Sequence, residues 1–187
     1  ADIRIAQGRL HDAMTIYQQA IRLGTEPNGP ALRGTADMFV GMSELHREWN
    51  DLDAASRCLA QGAELGDAAG FPQYPWRWRV ALARIKTARG DLDGALVLLD
   101  EAERGAVGEV HPNLCPPAAM KARLRIAQGR LSDALDWSRA QGLSADDDLS
   151  YLHEYEHVTL ARLLLAQDSV GQASGLLDRL LDAAERG

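Results

Sequence analysis

The sequence predicts an all-α fold, an α-solenoid of about five helical hairpins with a repeat of 39–42 residues. Composition is the first ground: Ala, Leu, Arg, Glu and Gln are frequent and aromatics make up only 5% of the chain, a bias toward helices and away from strands. The second is a seven-residue pattern that occurs five times, at Gln7–Ala13, Trp49–Ala55, Arg89–Ala95, Gln128–Ala134 and Gln167–Ala173. Its final alanines lie 42, 40, 39 and 39 residues apart. The third is a set of columns in register with those alanines. Three residues before each stand Leu10, Leu52, Leu92, Leu131 and Val170; ten before, Ile3, Leu45, Ile85, Leu124 and Leu163; twelve before, the small Ala1, Ser43, Ala83, Ala122 and Ala161.

Each seven-residue segment reads as the turn of one hairpin. Gly or Asn ends a helix in the left-handed conformation, and a polar cap with an acidic first turn starts the next. Small residues at a fixed helical position let two helices approach closely while the large ones fill the seam, which is the logic of tetratricopeptide-type (TPR-like) stacking into a right-handed superhelix. In order, helices are expected near 1–7 and 10–23, 31–48 and 52–66, 74–89 and 92–105, 116–128 and 131–140, and 149–167 and 170–186. The linkers from Gly24 to Pro30, Gly66 to Pro75, Gly105 to Pro117 and Gln141 to Asp148 carry the Gly, Pro and Asp that separate hairpins. Residues 1–187 are expected to form a single superhelical domain. Its short first helix and uncapped last one suggest a piece of a longer protein.

A net charge of −7 and a pI near 5.2 argue against direct nucleic-acid binding, which rests on neutralising phosphates. Cys58 and Cys115 are far apart and form no CxxC, so they read as reduced thiols. No leader and no long apolar run is seen, which points to the cytoplasm and away from a membrane.

The last forty residues carry a resemblance to a known family. The run from Leu149 through Tyr151, His153, Tyr155, His157, Arg162 and Leu163 to Gln167, followed by Ala173 and Leu176-Leu177-Asp178-Arg179-Leu180-Leu181, resembles the helical repeat region of MalT-like, LuxR-type bacterial transcriptional regulators. The resemblance implies a sensor superhelix within a larger regulator. In that family an ATP-binding module and a helix-turn-helix flank the superhelix, which takes up an inducer, an oligosaccharide in the name-giving member. Neither flanking module is visible here, so only the sensor or scaffold role carries over.

Candidate binding residues follow from the register. Eleven residues before each final Ala stand Asp2, Glu44, Arg84, Arg123 and Arg162. If the first helix of each hairpin lines a concave face, these side chains sit roughly 10 Å apart along it, near enough to share an anionic or hydroxyl-rich ligand. Equally, the arginines could pair with acids such as Glu154 and Glu156 on a solvated face. Trp76 and Trp78, with Arg77 and Arg79 interleaved, and Tyr151 and Tyr155 lie at the starts of inner helices; such rings bind sugars or peptides, or plug gaps between hairpins. The expected ligand or partner site is therefore Arg77, Arg84, Arg123, Tyr155, Arg162, Trp76, Trp78 and Tyr151. The partner is expected to be a small-molecule inducer or a peptide segment, with self-association through the chain ends also open. Trp49 and Trp137 read as packing.

His153-Glu154-Tyr155-Glu156-His157 matches H-E-x-x-H, which on a helix presents two imidazoles for zinc. Its register position is occupied by Phe39, Arg79 and Ala118 in earlier hairpins, and only Glu185 could serve as a third ligand. A structural His pair is expected, with no metal and no cofactor. Asp146-Asp147-Asp148 reads as a linker. The sequence thus predicts a non-enzymatic sensor or interaction superhelix, with a protein-only TPR scaffold as the alternative and a zinc hydrolase as the third reading.

Overall fold

A computed structural model describes residues 4, 5, 7–25, 29–105 and 115–186. Ala1, Asp2 and Ile3, the first members of three columns, most of the helix expected at 1–7 and most of the 105–117 linker lie outside the described residues. Among the described residues the chain has nine α-helices of three to five turns and no strand. They are α1 (Leu10–Gly24), α2 (Thr35–Glu48), α3 (Leu52–Glu64), α4 (Tyr74–Ala88), α5 (Leu92–Arg104), α6 (Pro117–Ala127), α7 (Leu131–Ala140), α8 (Glu154–Ala166) and α9 (Val170–Arg186).

Two compact units are present, 1–107 and 108–187. In the first, α2 pairs with α3 and α4 with α5; α1 packs on α2, and α2 and α3 pack on α4. In the second, α6 pairs with α7 and α8 with α9, while α6 and α7 pack on α8. The first helices of successive hairpins thus touch within each unit. The periodic columns are what permits this: the five alanines that define the register, Ala13, Ala55, Ala95, Ala134 and Ala173, are all completely buried. Ser43, Ala83, Ala122 and Ala161 are buried as well, with Leu45, Ile85, Leu124 and Leu163 beside them. Burying each large side chain in that column contributes roughly 1.5–3 kcal/mol, and the small residue two positions earlier brings the backbones close enough for it to happen.

The turns obey the expected chemistry. Gly8, Asn50, Gly90, Gly129 and Asp168 occupy one register position, and all have φ between 58° and 81°. The left-handed residue closes the preceding helix, and in two turns an aspartate caps the next, Asp51 accepting from the Ala54 N–H at 3.0 Å and Asp91 from the Gly94 N–H at 2.9 Å.

Two helices start later than the sequence predicts. The one expected at 31 begins at Thr35, because Gly34 takes φ 94° to donate its N–H to the Ala69 carbonyl at 2.7 Å, a conformation no helix accommodates. The one expected at 149 begins at Glu154. The segment ahead of it alternates, with Leu143, Ala145, Asp147 and Leu149 half-buried and Ser144, Asp146, Asp148 and Ser150 exposed. Its apolar members pack on the second unit's core with Leu160, Leu163 and Leu176. The segment is not helical: the Asp147 N–H reaches the Ser144 carbonyl at 3.4 Å and the Ser144 N–H donates to Asp147 Oδ2 at 2.8 Å, a turn that Arg179 of α9 holds by donating to the Ala145 and Asp147 carbonyls. Only after Ser150, itself extended, does a 3-10 turn (Tyr151–His153) lead into α8.

Candidate functional site

On the inner helices of the first unit, residues forty apart in sequence meet. Asp37 of α2, 1% exposed, accepts from Arg77 Nη1 of α4 at 2.9 Å and from the Phe71 N–H at 2.8 Å. Two turns along the same helices, Arg84 Nη1 donates to Glu44 Oε2 at 2.9 Å, an oxygen that also accepts from Arg47 at 3.1 Å. The expected 10 Å spacing, with room for a shared ligand, is therefore not what this pair shows: equivalent positions on α2 and α4 are in direct contact. Arg77 and Arg84 are each paired with a carboxylate, Asp37 and Glu44.

The tryptophans expected beside them are also partly committed. Trp78 packs against the first unit's core and donates Nε1–H to the Leu59 carbonyl at 3.1 Å, the plugging role. Trp76 is half-buried. Tyr74 at the start of α4 is buried, and that burial, with Asp67 and Asp37 nearby, pushes its phenol up to about 12.

In the second unit the same column behaves differently. Arg123 of α6 reaches α8, donating Nε–H to Thr159 Oγ at 2.8 Å and Nη2–H to the Tyr155 carbonyl at 3.3 Å, with its guanidinium 3.5 Å from the centre of the Tyr155 ring. These partners are neutral. Burial, with the Arg162 charge nearby, draws Arg123 below the usual arginine value, though it stays a cation. Arg162, one turn beyond Thr159, is exposed and makes no ion pair among the described residues. Arg123, Tyr155 and Arg162 are thus brought together, and Arg77, Arg84, Trp76 and Trp78 belong to the other unit. Tyr151 is placed differently from the helical position expected of it: it stands 72% exposed in the 3-10 turn. Thr159 was missed by sequence reasoning because its column holds Gly41, Ala81 and Met120, a packing position. Asp37 was missed too, although it stands in the column of Arg77 and Tyr155, eighteen residues before the final Ala, and reading that column as closely as the arginine column would have found it.

The H-E-x-x-H match is taken apart by the late start of α8. His153 closes the 3-10 turn with φ −111°, so the two histidines do not share one helix face. The His153 ring, 62% exposed, pairs through Nδ1 with Glu156 Oε2 at 2.6 Å. His157 is buried, with Nδ1 3.0 Å from the His153 carbonyl and Nε2 3.4 Å from Asp147 Oδ2. Asp147 is held below the usual carboxylate range, chiefly by the Ser144 N–H at 2.8 Å and further by His157 and Arg179. These groups border a depression of about 360 Å³, yet among the described residues no set of three His, Cys, Asp or Glu side chains is arranged to hold a metal ion. Through Asp147, His157 ties the linker to α8. Trp49 stacks near His11 and His46, and Trp137 is buried with Ala119 and Ala122, as expected of packing residues.

Comparison with known proteins supports the fold these hairpins define. The family model described as the MalT-like TPR region matches residues 1–187. Among solved structures, the Podosopora anserina putative kinesin light chain with nearly identical TPR-like repeats is 16% identical, with a TM-score of 0.61, and 99% of this chain aligns with 92% of that one. A variant of the same protein is 17% identical, with a TM-score of 0.62, and 100% of this chain aligns with 93% of that one. At such identity the likeness is one of fold. No curated protein matches the chain. The chain belongs to the MalT-like TPR region family, and it is a TPR-type helical scaffold, of a fold and family that are typically non-enzymatic. Among the described residues no helix is long and apolar enough to cross a membrane.

Proposed function

We propose that this member of the MalT-like TPR family is a non-enzymatic, cytoplasmic sensor module of a LuxR-type regulator, and that it takes an anionic or hydroxyl-rich inducer, such as an oligosaccharide, where α6 meets α8. One observation carries this reading: among the described residues Arg123 and Arg162 have no carboxylate partner, whereas Arg77 and Arg84 each have one. A pair of neighbouring guanidiniums beside an aromatic ring and a hydroxyl favours a ligand that supplies acceptors and a flat face. Binding would act by favouring one arrangement of the hairpins over another, which requires different affinities for the two.

A thermal-shift screen with oligosaccharides, nucleotides and acidic peptides tests it. A ligand at a hundred times its dissociation constant adds about 2.7 kcal/mol of stability. Arg162→Ala removes an exposed cation without touching the core, and it should abolish the response. A response that survives both Arg162→Ala and Tyr155→Ala places the site elsewhere.

The second reading is a scaffold for a protein segment alone. It draws on two shallow depressions of the second unit, which hold about 210 and 360 Å³, near the small end of ligand pockets. Under it only the acidic peptides shift the melting temperature.

A further inference from the structure

The inner helices of the two units share one register but not one set of charges. In the first unit two rungs join α2 to α4: Asp37 with Arg77 at 2.9 Å, eighteen residues before the final Ala, and Glu44 with Arg84 at 2.9 Å, eleven before it. Glu44 Oε2 also accepts from Arg47 Nη2 at 3.1 Å, so one carboxylate oxygen bridges two guanidiniums. In the second unit the corresponding first helices are α6 and α8, and they too pack together. The rung positions there hold Pro116 with Tyr155, and Arg123 with Arg162. Neither rung has an acid, and the second sets two cations on facing helices.

Neutral groups fix where the first of these charges lies. Arg123 crosses from α6 to α8, where the fully buried Thr159 hydroxyl accepts its Nε–H at 2.8 Å and donates to the Tyr155 carbonyl at 2.6 Å. That carbonyl also accepts from Arg123 Nη2 at 3.3 Å, and the guanidinium lies 3.5 Å from the centre of the Tyr155 ring. Arg162 follows Thr159 by three residues, and a helical side chain leans toward the N-terminus over the preceding turn, which brings this one back toward Arg123. The nearness of the Arg162 charge is felt, since with burial it draws Arg123 below the usual arginine value. Tyr155 is no open platform for a sugar ring: Arg123 covers it, and it packs against Ala119, Ala122 and Trp137.

We infer that the inner face of the second unit selects a compact dianion, a phosphate monoester borne by a small molecule. It sits between Arg123 and Arg162 as the Glu44 carboxylate sits between Arg84 and Arg47. This rests on the reading of the inner face as a ligand site and narrows it to the anionic class, away from a neutral oligosaccharide. Charge decides among the anions. Two guanidiniums without a carboxylate are matched by the roughly −1.5 to −2 of a phosphate monoester at pH 7, and only half matched by a carboxylate. A neutral sugar leaves the two cations repelling each other.

The test is isothermal titration calorimetry of the intact chain with glucose, glucuronate and glucose 6-phosphate, probes that differ only at the sixth carbon. Inorganic phosphate and a phosphoserine peptide accompany them. Glucose 6-phosphate should bind at least about tenfold more tightly than glucuronate, the factor that one further charge-assisted hydrogen bond supplies. Glucose should show no saturable binding, and inorganic phosphate should compete with glucose 6-phosphate. Arg162→Ala should leave glucose 6-phosphate and glucuronate binding alike. Arg139→Ala, which removes the same charge from an exposed position on α7, should leave the preference intact. Circular dichroism melts confirm that these surface variants fold. Equal binding of glucose 6-phosphate and either of the other two sugars, lost in Arg162→Ala, would overturn the dianion and keep the ligand site. A phosphate preference that survives Arg162→Ala would overturn both. Absence of saturable binding by every anion would overturn the inference, and so would binding confined to the phosphoserine peptide, which assigns the anion to a protein partner.

Discussion

Truncating Arg77 tests the division between an arginine paired with a carboxylate and Arg162, which is proposed to bind a ligand. The Asp37 carboxylate is buried at 1% exposure, and it has two donors, the Phe71 N–H at 2.8 Å and Arg77 Nη1 at 2.9 Å. Arg77→Ala leaves that charge inside the first unit with a single donor and no counter-ion. Removing one partner of a fully buried pair costs about 3–5 kcal/mol. Arg77 itself is 37% exposed, so water reaches the edge it vacates, and a loss of about 2–3 kcal/mol is the appropriate figure. For a unit of this size each 1 kcal/mol moves the midpoint by about 4–8 °C, so the first unit should melt roughly 8–24 °C lower. Arg162→Ala, on an exposed side chain without an ion pair among the described residues, should stay within about 0.5 kcal/mol of the parent. Thermal unfolding followed by circular dichroism, with urea titrations in parallel, reads both. A drop below about 2 °C for Arg77→Ala, or equal drops for the two variants, would refute that division.

Two further outcomes follow from the same geometry. Gly41→Ala places a methyl 2.3 Å from the Tyr17 ring and should destabilise by about 1–3 kcal/mol; Tyr17→Leu in the same chain should return most of that, and a neutral Gly41→Ala would contradict the close approach of α1 and α2. Asp147, whose folded value is depressed below its ordinary 3.8, contributes stability that is complete above that value and is lost as pH falls through the lower folded one. Asp147→Asn should therefore be less stable than the parent at about pH 5 and approach it near pH 2, and melting temperatures whose difference stays constant across that range would show that the linker contact does not depend on the charge.

Much of this protein is determined by local and periodic features, and those are legible in one dimension. The left-handed residue at Gly8, Asn50, Gly90, Gly129 and Asp168, the buried alanines and the Leu45-Ile85-Leu124-Leu163 column follow from backbone sterics and helical spacing, which act within a few residues of each site. They identify the hairpins, their number and which side of each helix is seam. What the inner face does was decided only in three dimensions. Glu44 and Arg84 stand in one column, as do Asp37 and Arg77, but whether an arginine is neutralised or left for a ligand depends on distances of a few ångströms across forty residues of chain. The late start of α8 has the same origin. The segment from Leu143 to Ser150 turns at Ser144–Asp147 and packs on the core of the second unit, with Arg179 donating to its carbonyls, so that His153 stands in the 3-10 turn ahead of α8. Repeats specify how hairpins stack; the charges and side chains that differ between one repeat and the next acquire their roles only from the neighbour against which they are packed.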